Sequence, residues 1–547
     1  MRKGFLILWM ALLPVFSWAA PGEKVCVVTD RNSYIAGDLV WFSLYCVDQN
    51  GNLSPDSATA YLELVSREGT AVTAKAGLMD GRGAGTFRLP LGVPTGNYRL
   101  VAYTAVGCAE NPLPGSCVLS VYNTTSTARS SGVEITESPF GVPVVSDQTV
   151  GPVSLSLNSL VRAGSTVQLM LQSLEEEDLD LSVSVYHADA LEQVQNLNLV
   201  SFLQQEPSSP APGREEEYDG EIIRAVLSGD YSTGATPQVY LSSAGAPSNV
   251  YIGQPDRNGE VRFYTGNIYG DRELVCEVLG GGEKSRVDIQ SPFVHPSAGE
   301  LPDLQMGKDL RNTLVARKEA LRSDAFARQD TLARFLPKRE DLLLSGNSYK
   351  RYHLDDYTRF PTVREVLVEI IPTLRVGRSH GQLALIMNQT DGSNTQYHHQ
   401  DNILTMMDGV VINDINLLLD FDAMLLEDID LYSQPIVVGM TSFNGAVNFI
   451  TKKNYVTALH FPETVRVVSY QGVSYPVAYT GSAPALKDGE RDLRQVLYWH
   501  PSLQIEGGQR QYIQLKAPSY AGQFRVVVQG RSASGTPVCV VYSFEVQ

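Results

Sequence analysis

After its first twenty residues the chain has no run approaching the roughly 20 apolar residues of a spanning helix, so no later segment reads as one. There is no Gly-x-Ser-x-Gly elbow, no His-Glu-x-x-His and no phosphate loop, so three common ways of building a hydrolytic or nucleotide site have no motif here. Cysteine is sparse, six in 547 residues, and no pair of CxxC units exists to hold a structural zinc. Histidine is sparser in pattern than in number: of eight, only His398 and His399 cluster, in the polar stretch GSNTQYHHQDN. Adjacent residues on a strand point to opposite faces, so the two make a poor chelate. Positive charge is also short. Lys and Arg number 43 against 60 Asp and Glu, a formal charge of −17. An acidic surface of that size argues against nucleic acid and against an anionic membrane as partner. No cofactor or metal site is expected, and the chain is read as not an enzyme.

What is present begins with a leader. Arg2 and Lys3 precede a short apolar core, Phe5 to Phe16, and small residues follow at Ser17-Trp18-Ala19 or Trp18-Ala19-Ala20. Residues 1–20 therefore read as a signal peptide, too short in its core to span a bilayer. Export permits disulfides. Cys108 and Cys117 flank the Pro/Gly-rich loop AENPLPGS and are the best candidate pair, with Cys26 and Cys46 a second possibility. Cys276 and Cys539 read as single buried strand residues.

Most of the chain alternates apolar and polar residues between Gly, Pro, Asn and Asp turns, the mark of short strands. The expected fold class is mainly β and multidomain: Ig-like sandwiches, one long helix and a small α+β domain. Residues 21–125 form a first β-sandwich and 126–205 a second. Residues 206–300 form a third β unit, opening on the linker PSSPAPGREEEY, and 301–351 a helical linker. Residues 352–455 form the α+β domain and 456–547 a C-terminal sandwich. In the helical linker Leu310, Leu314, Leu321, Ala325, Leu332 and Leu336 repeat at steps of four and seven, one stripe on a straight helix.

The α+β domain has the sharpest local signals. Thr362 with Glu365 makes a capping box, Val363, Val366, Leu367, Ile370 and Ile371 fall on one helical face, and Pro372 stops the helix. Asp408-Gly409 between apolar runs is a hairpin turn. Asn444-Gly445 precedes an alternating strand with Ala446, Val447, Phe449 and Ile450. Asp420, Asp422, Glu427, Asp428 and Asp430 around a short turn read as a solvated rim.

Two stretches resemble known families. TDRNSYIAGDLVWFSLYCVD, with Asp30, Arg31, Tyr34, Gly37 and Asp38, and GNYRLVAYT, with Gly96, Tyr98, Leu100 and Ala102, resemble the macroglobulin-type domain of alpha-2-macroglobulin-like proteins. That family often carries a Cys-Gly-Glu-Gln thioester, and none of the six cysteines here is followed by Gly-Glu-Gln. Asp408-Gly409, Glu427 to Leu431 and FNGAVNFITKK (443–453) resemble the plug domain of TonB-dependent outer-membrane transporters. Too few residues follow for a transporter barrel. The third unit resembles carboxypeptidase-regulatory-like sandwiches, and DLRQVLYWHP (492–501) resembles a motif of large exported Bacteroidetes-type proteins combining macroglobulin-type and plug-like domains.

These resemblances imply a non-enzymatic envelope protein, exported to the periplasm or associated with the outer membrane. It would act in protein binding as a scaffold linked to a receptor or transport system. The partner would be an envelope protein, an outer-membrane barrel among them. Exposed sheet edges would bind by strand addition. The alternative is a thioester-less, macroglobulin-like peptidase-binding protein.

Overall fold

A computed structural model of the chain describes residues 22–108, 113–137, 141–196, 198–204, 214–229, 237–245, 248–280, 284–307, 309–328, 347–379, 381–390, 397–454, 456, 459–475 and 491–547. The leader and most of the PSSPAPGREEEY linker lie outside these residues. The described chain is mainly β and divided among several sheets.

The first sandwich is made from one contiguous stretch. Strands Lys24–Thr29, Leu39–Val47 and Arg82–Arg88 form one layer. Thr59–Ser66, Gly69–Met79, Gly96–Tyr103, Cys117–Tyr122 and Ser33–Ile35 form the other. Strand Gly69–Met79 passes between layers, pairing with Thr59–Ser66 over most of its length and with Arg82 and Gly83 at its end. Val25, Phe42, Leu44, Leu62, Leu100 and Leu119 fill the core between them. The residues behind the macroglobulin resemblance have structural work there. Asp30 accepts from the Tyr34 hydroxyl at 2.8 Å and from Trp41 N at 2.9 Å. Arg31 pairs with Asp38 at 2.8 Å and covers the Tyr34 ring. Gly37 sits at φ +98, where a side chain would be strained. Tyr98 donates to Pro94 O at 2.8 Å, a tyrosine corner.

The second and C-terminal sandwiches expected at 126–205 and 456–547 are two halves of one. Strand Leu179–Ala188 lies between Val496–Ile505 and Gly522–Ser532, and Gln148–Val150 pairs with Pro537–Val546. In the facing sheet Thr166–Ser173 lies between Val153–Ser156 and Arg510–Lys516. Leu169, Leu171, Val183 and Val185 from the first half share a core with Phe524, Val526, Val540 and Phe544 from the second. The reason is arithmetic of surfaces: neither half has enough strands to cover an apolar face alone, and an uncovered face must find a sheet to pack on.

The third unit also borrows. Strands Glu260–Tyr264, Ile222–Ser228 and Arg286–Ile289 make one sheet. Asn249–Gly253, Gln238–Ser243 and Arg272–Leu279 make the other, extended by Val465–Tyr470 from beyond the α+β unit. Helix Leu310–Arg328 lays Leu310, Leu314 and Leu321 on Ile35, Tyr122, Leu191 and Leu304. Leu332 and Leu336 lie outside the described residues. Trp41, Tyr45, Tyr186, Leu199, Phe202 and Trp499 form a buried joint between the first sandwich and the composite one.

Candidate functional sites

The α+β unit forms as its local signals dictate. Helix Val363–Glu369 starts at Thr362, whose side chain accepts from Glu365 N while Glu365 reaches back to Thr362 N, the full capping box. Its face, Val363, Val366 and Leu367, is buried. Asp408 (φ 48) and Gly409 (φ 78) make the turn between Leu404–Met407 and Val410–Val411; two positive φ values in succession require such a pair. The sheet runs Lys350–His353, Leu426–Tyr432, Ala446–Thr451, Leu404–Met407, Val410–Val411. The acidic set around 420–430 is not simply a solvated rim. Asp422 caps a 3-10 turn by accepting from Met424 N, Asp430 holds Arg351 through two bonds of 2.6 Å, and Asp428 faces His353 at 2.8 Å.

The unit is fastened to the third β unit. A Cβ on Gly409 would meet the Ser248 side chain at 1.9 Å, and Asp408 O accepts from Gly245 N. Val411 N donates to Ser242 Oγ at 3.2 Å. Ala244, Val275 and Val465 sit in the same core as the helix and Phe449. The hairpin Ile436–Val438/Thr441–Phe443 packs on Tyr240 and Val250, leaving Met440 97% exposed at its turn. A second sheet of the unit, Leu374–Ser379, Gln382–Thr390 and Tyr397–Gln400, ends at Leu374–Ser379; no strand among the described residues pairs with its other edge. Arg375 and Arg378 on that strand are exposed.

A buried polar junction lies elsewhere. Lys75, on the outer face of the first sandwich, is 1% exposed and pairs with Glu221 at 2.7 Å. Tyr470 donates to Glu221 at 2.6 Å and accepts from Lys75 at 2.8 Å. Tyr61 donates to Glu217, 2.9 Å from both carboxylate oxygens, and Ile222 N donates to the same carboxylate at 2.9 Å. Burial, reinforced by the neighbouring Glu221, raises Glu217 to about 7 against the pull of its hydrogen-bond donors and Lys75. Burial also lowers Lys75, opposed by Glu221. Beside this cluster Glu63 accepts from the Tyr103 hydroxyl at 2.6 Å and from Val294 N and His295 N, strapping the stretch after the third unit to the first sandwich.

No sequence signal marked this junction. Lys75 alternates outward on its strand and Glu217 lies in the acid-rich REEEY, both patterns of solvated residues. Their partners stand 146 and 156 positions away in the chain.

The disulfide expectation is corrected. Cys108 and Cys117 are both free thiols. Cys117 points into the first sandwich's core, where burial pushes its thiol up to about 12. Cys108 packs on the other face with Tyr61 and Tyr103 and contacts Ala105 O at 3.2 Å. Cys26 and Cys46 are not bridged to each other either. Cys26 stands opposite Tyr45 and Cys46 opposite Val25, one register step apart, so their side chains leave the sheet on opposite faces. The backbone of His398 and His399 lies in Tyr397–Gln400; their side chains are outside the described residues. Among the described residues no three His, Cys, Asp or Glu gather as a metal-holding group.

No family model and no curated protein matches the chain. Solved structures similar to it include Salmonella alpha-2-macroglobulin reacted with methylamine and the native conformation of E. coli alpha-2-macroglobulin, each 11% identical with a TM-score of 0.24. Each alignment covers 96% of this chain, which spans 40% of the other's length. E. coli alpha-2-macroglobulin activated by porcine elastase aligns at 9% identity and a TM-score of 0.16, covering 96% of this chain and 53% of that one. The chain itself is a multidomain β protein whose α+β unit is seated on the third β unit.

Proposed function

We propose that this chain is a non-enzymatic, exported protein of the bacterial envelope, a scaffold that presents its α+β unit to an envelope protein partner. The plug-like resemblance of Asp408-Gly409, Glu427 to Leu431 and Phe443 to Lys453 supplies the partner class, an outer-membrane receptor or transport barrel. The observation that carries the reading is the edge of Leu374–Ser379. It belongs to a unit fastened to the β framework, and no described strand pairs with it. A sheet edge that no strand covers is a template for an incoming strand. Rigid seating lowers the entropy lost when the partner binds.

A photo-crosslinking residue at Arg378, introduced in the full chain in its native cells, tests this. One discrete adduct with an envelope protein is expected, absent when the same residue replaces Leu91 on the first sandwich. Adducts from Leu91 and none from Arg378 would move the binding surface to the sandwiches. A second reading, thioester-less peptidase binding, is favoured by the buried Asp30, Arg31, Tyr34 and Asp38 set, on which the macroglobulin resemblance rests. Protection of a peptidase from a large inhibitor, but not a small one, would select it.

A further inference from the structure

The junction around Lys75 joins parts of the chain that no continuous strand connects. Tyr61 and Lys75 come from the first sandwich, Glu217 and Glu221 from the segment entering the third unit, and Tyr470 from the strand returning out of the α+β unit. Backbone bonds run alongside: Ala58 N to Glu217 O, and Ser474 N to Lys75 O. Thr59 Oγ1 donates to Asn267 at 2.7 Å. Charge does not balance within it. Two carboxylates, Glu217 and Glu221, face one ammonium, Lys75, and the remaining donors are neutral hydroxyls and amides. Glu217 is 4% exposed and Glu221 1%, so water does not screen the surplus. Two other buried carboxylates of the first sandwich are already engaged: Glu63 with Tyr103, Thr70 and His295, and Glu23 with Ser54 and Ser57.

We propose that this junction is a protonation-controlled joint between the first sandwich and the third β unit, closed when Glu217 carries a proton and loosened when Glu217 and Glu221 are both ionised. One proton taken from solvent cancels the surplus charge and leaves the Lys75–Glu221–Tyr470 bonds intact. Burial, the largest cause, holds Glu217 at about 7, above the ordinary glutamate range. A carboxyl raised in the closed form binds more protons there than in the opened form. Closure is therefore favoured below that ordinary range and weakens as pH rises through about 7. The joint responds near neutrality and sits between the end of the PSSPAPGREEEY linker, with Glu221 just beyond it, and the strand that returns from the α+β unit.

Hydrogen exchange of the full chain, followed by mass spectrometry and corrected for intrinsic rates, tests this. Between about pH 5.5 and about pH 8.5, amides of 214–222 and 465–474 should lose protection by more than about tenfold, the effect of one pKa unit of differential protonation. Amides of 522–546 should not follow. Glu217→Gln should flatten the dependence. Tyr61→Phe, which keeps the ring and removes a bond favouring the ionised form, should move the midpoint to higher pH. Glu277→Gln is the control, because burial also raises Glu277 to about 7, beside Asn413 in the α+β unit; that variant should keep the slope at 214–222. A flat wild type overturns the proposal. So does a slope that survives in Glu217→Gln, or, where that variant does not fold, a midpoint unmoved by Tyr61→Phe.

Discussion

The first sandwich and the composite sandwich use the same chemistry and differ in where their strands come from. Residues 24–122 supply the whole first sandwich, with pairs such as Ser66↔Gly69 closing tight local hairpins. The composite sandwich sets Leu179–Ala188 against Val496–Ile505, more than three hundred positions away. Both halves show the same alternation, and alternation says which face is apolar, not which strand lies beside it. Long-range pairing needs the intervening chain to close a large loop first. The third β unit and the α+β unit are that loop, and their own folding shortens the distance its ends must search.

The largest expected effect comes from removing one half of the distant pairing. Deleting 491–547 should leave Leu179–Ala188 without partners and Thr166–Ser173 with Val153–Ser156 alone. Their shared core with Phe524, Val526 and Val540 would be lost. Limited proteolysis should then cut within 148–188 while Lys24–Tyr122 persists. Equal resistance of both regions would show that the first half closes on another sheet.

A smaller effect should come from the joint between the two sandwiches. Trp499 is 1% exposed and packs with Trp41, Tyr45 and Phe202. Trp499→Ala should cost about 3–5 kcal/mol by cavity formation and lost burial. Denaturant unfolding should separate into two transitions, with the composite sandwich melting first. A single transition with an unchanged midpoint would mean that the sandwiches do not stabilise each other.

The smallest concerns an element whose signals are all local. Thr362→Ala removes the cap of helix Val363–Glu369 and should cost about 1 kcal/mol. Exchange should quicken in residues 363–370 and hardly change at the Trp41–Trp499 joint. An effect as large as that of Trp499→Ala would show the short helix to be as integral to the assembly as the distant joint.

Features made by residues within a few positions of each other were legible. Thr362 and Glu365 bond across three residues, Asp408 and Gly409 need only their own φ angles, and Tyr98 reaches Pro94 four positions back. Strand existence was legible for the same reason, since alternation is a property of one segment. Strand ownership was not: Val465–Tyr470 reads as the start of a last sandwich and extends the third unit's sheet instead. The candidate sites divide the same way. The α+β unit's helix and hairpin were visible in advance, while its seating on Ser242, Ser248 and Val275 was not.

By itself the sequence determined a mainly β chain with a short capped helix, an Asp-Gly hairpin and many strands with one apolar face each. Only tertiary structure decided that two distant stretches close one sandwich. It also decided that Cys108 and Cys117 face different cores, and that Lys75, Glu217 and Glu221 meet in the dark rather than in water. The physical reason is that propensity, capping and turn geometry act over a few residues, whereas burial depends on which surface arrives from far along the chain. Charge follows burial: a glutamate in REEEY is an ordinary solvated acid until a sheet and Tyr61 cover it, and then its proton becomes part of the fold.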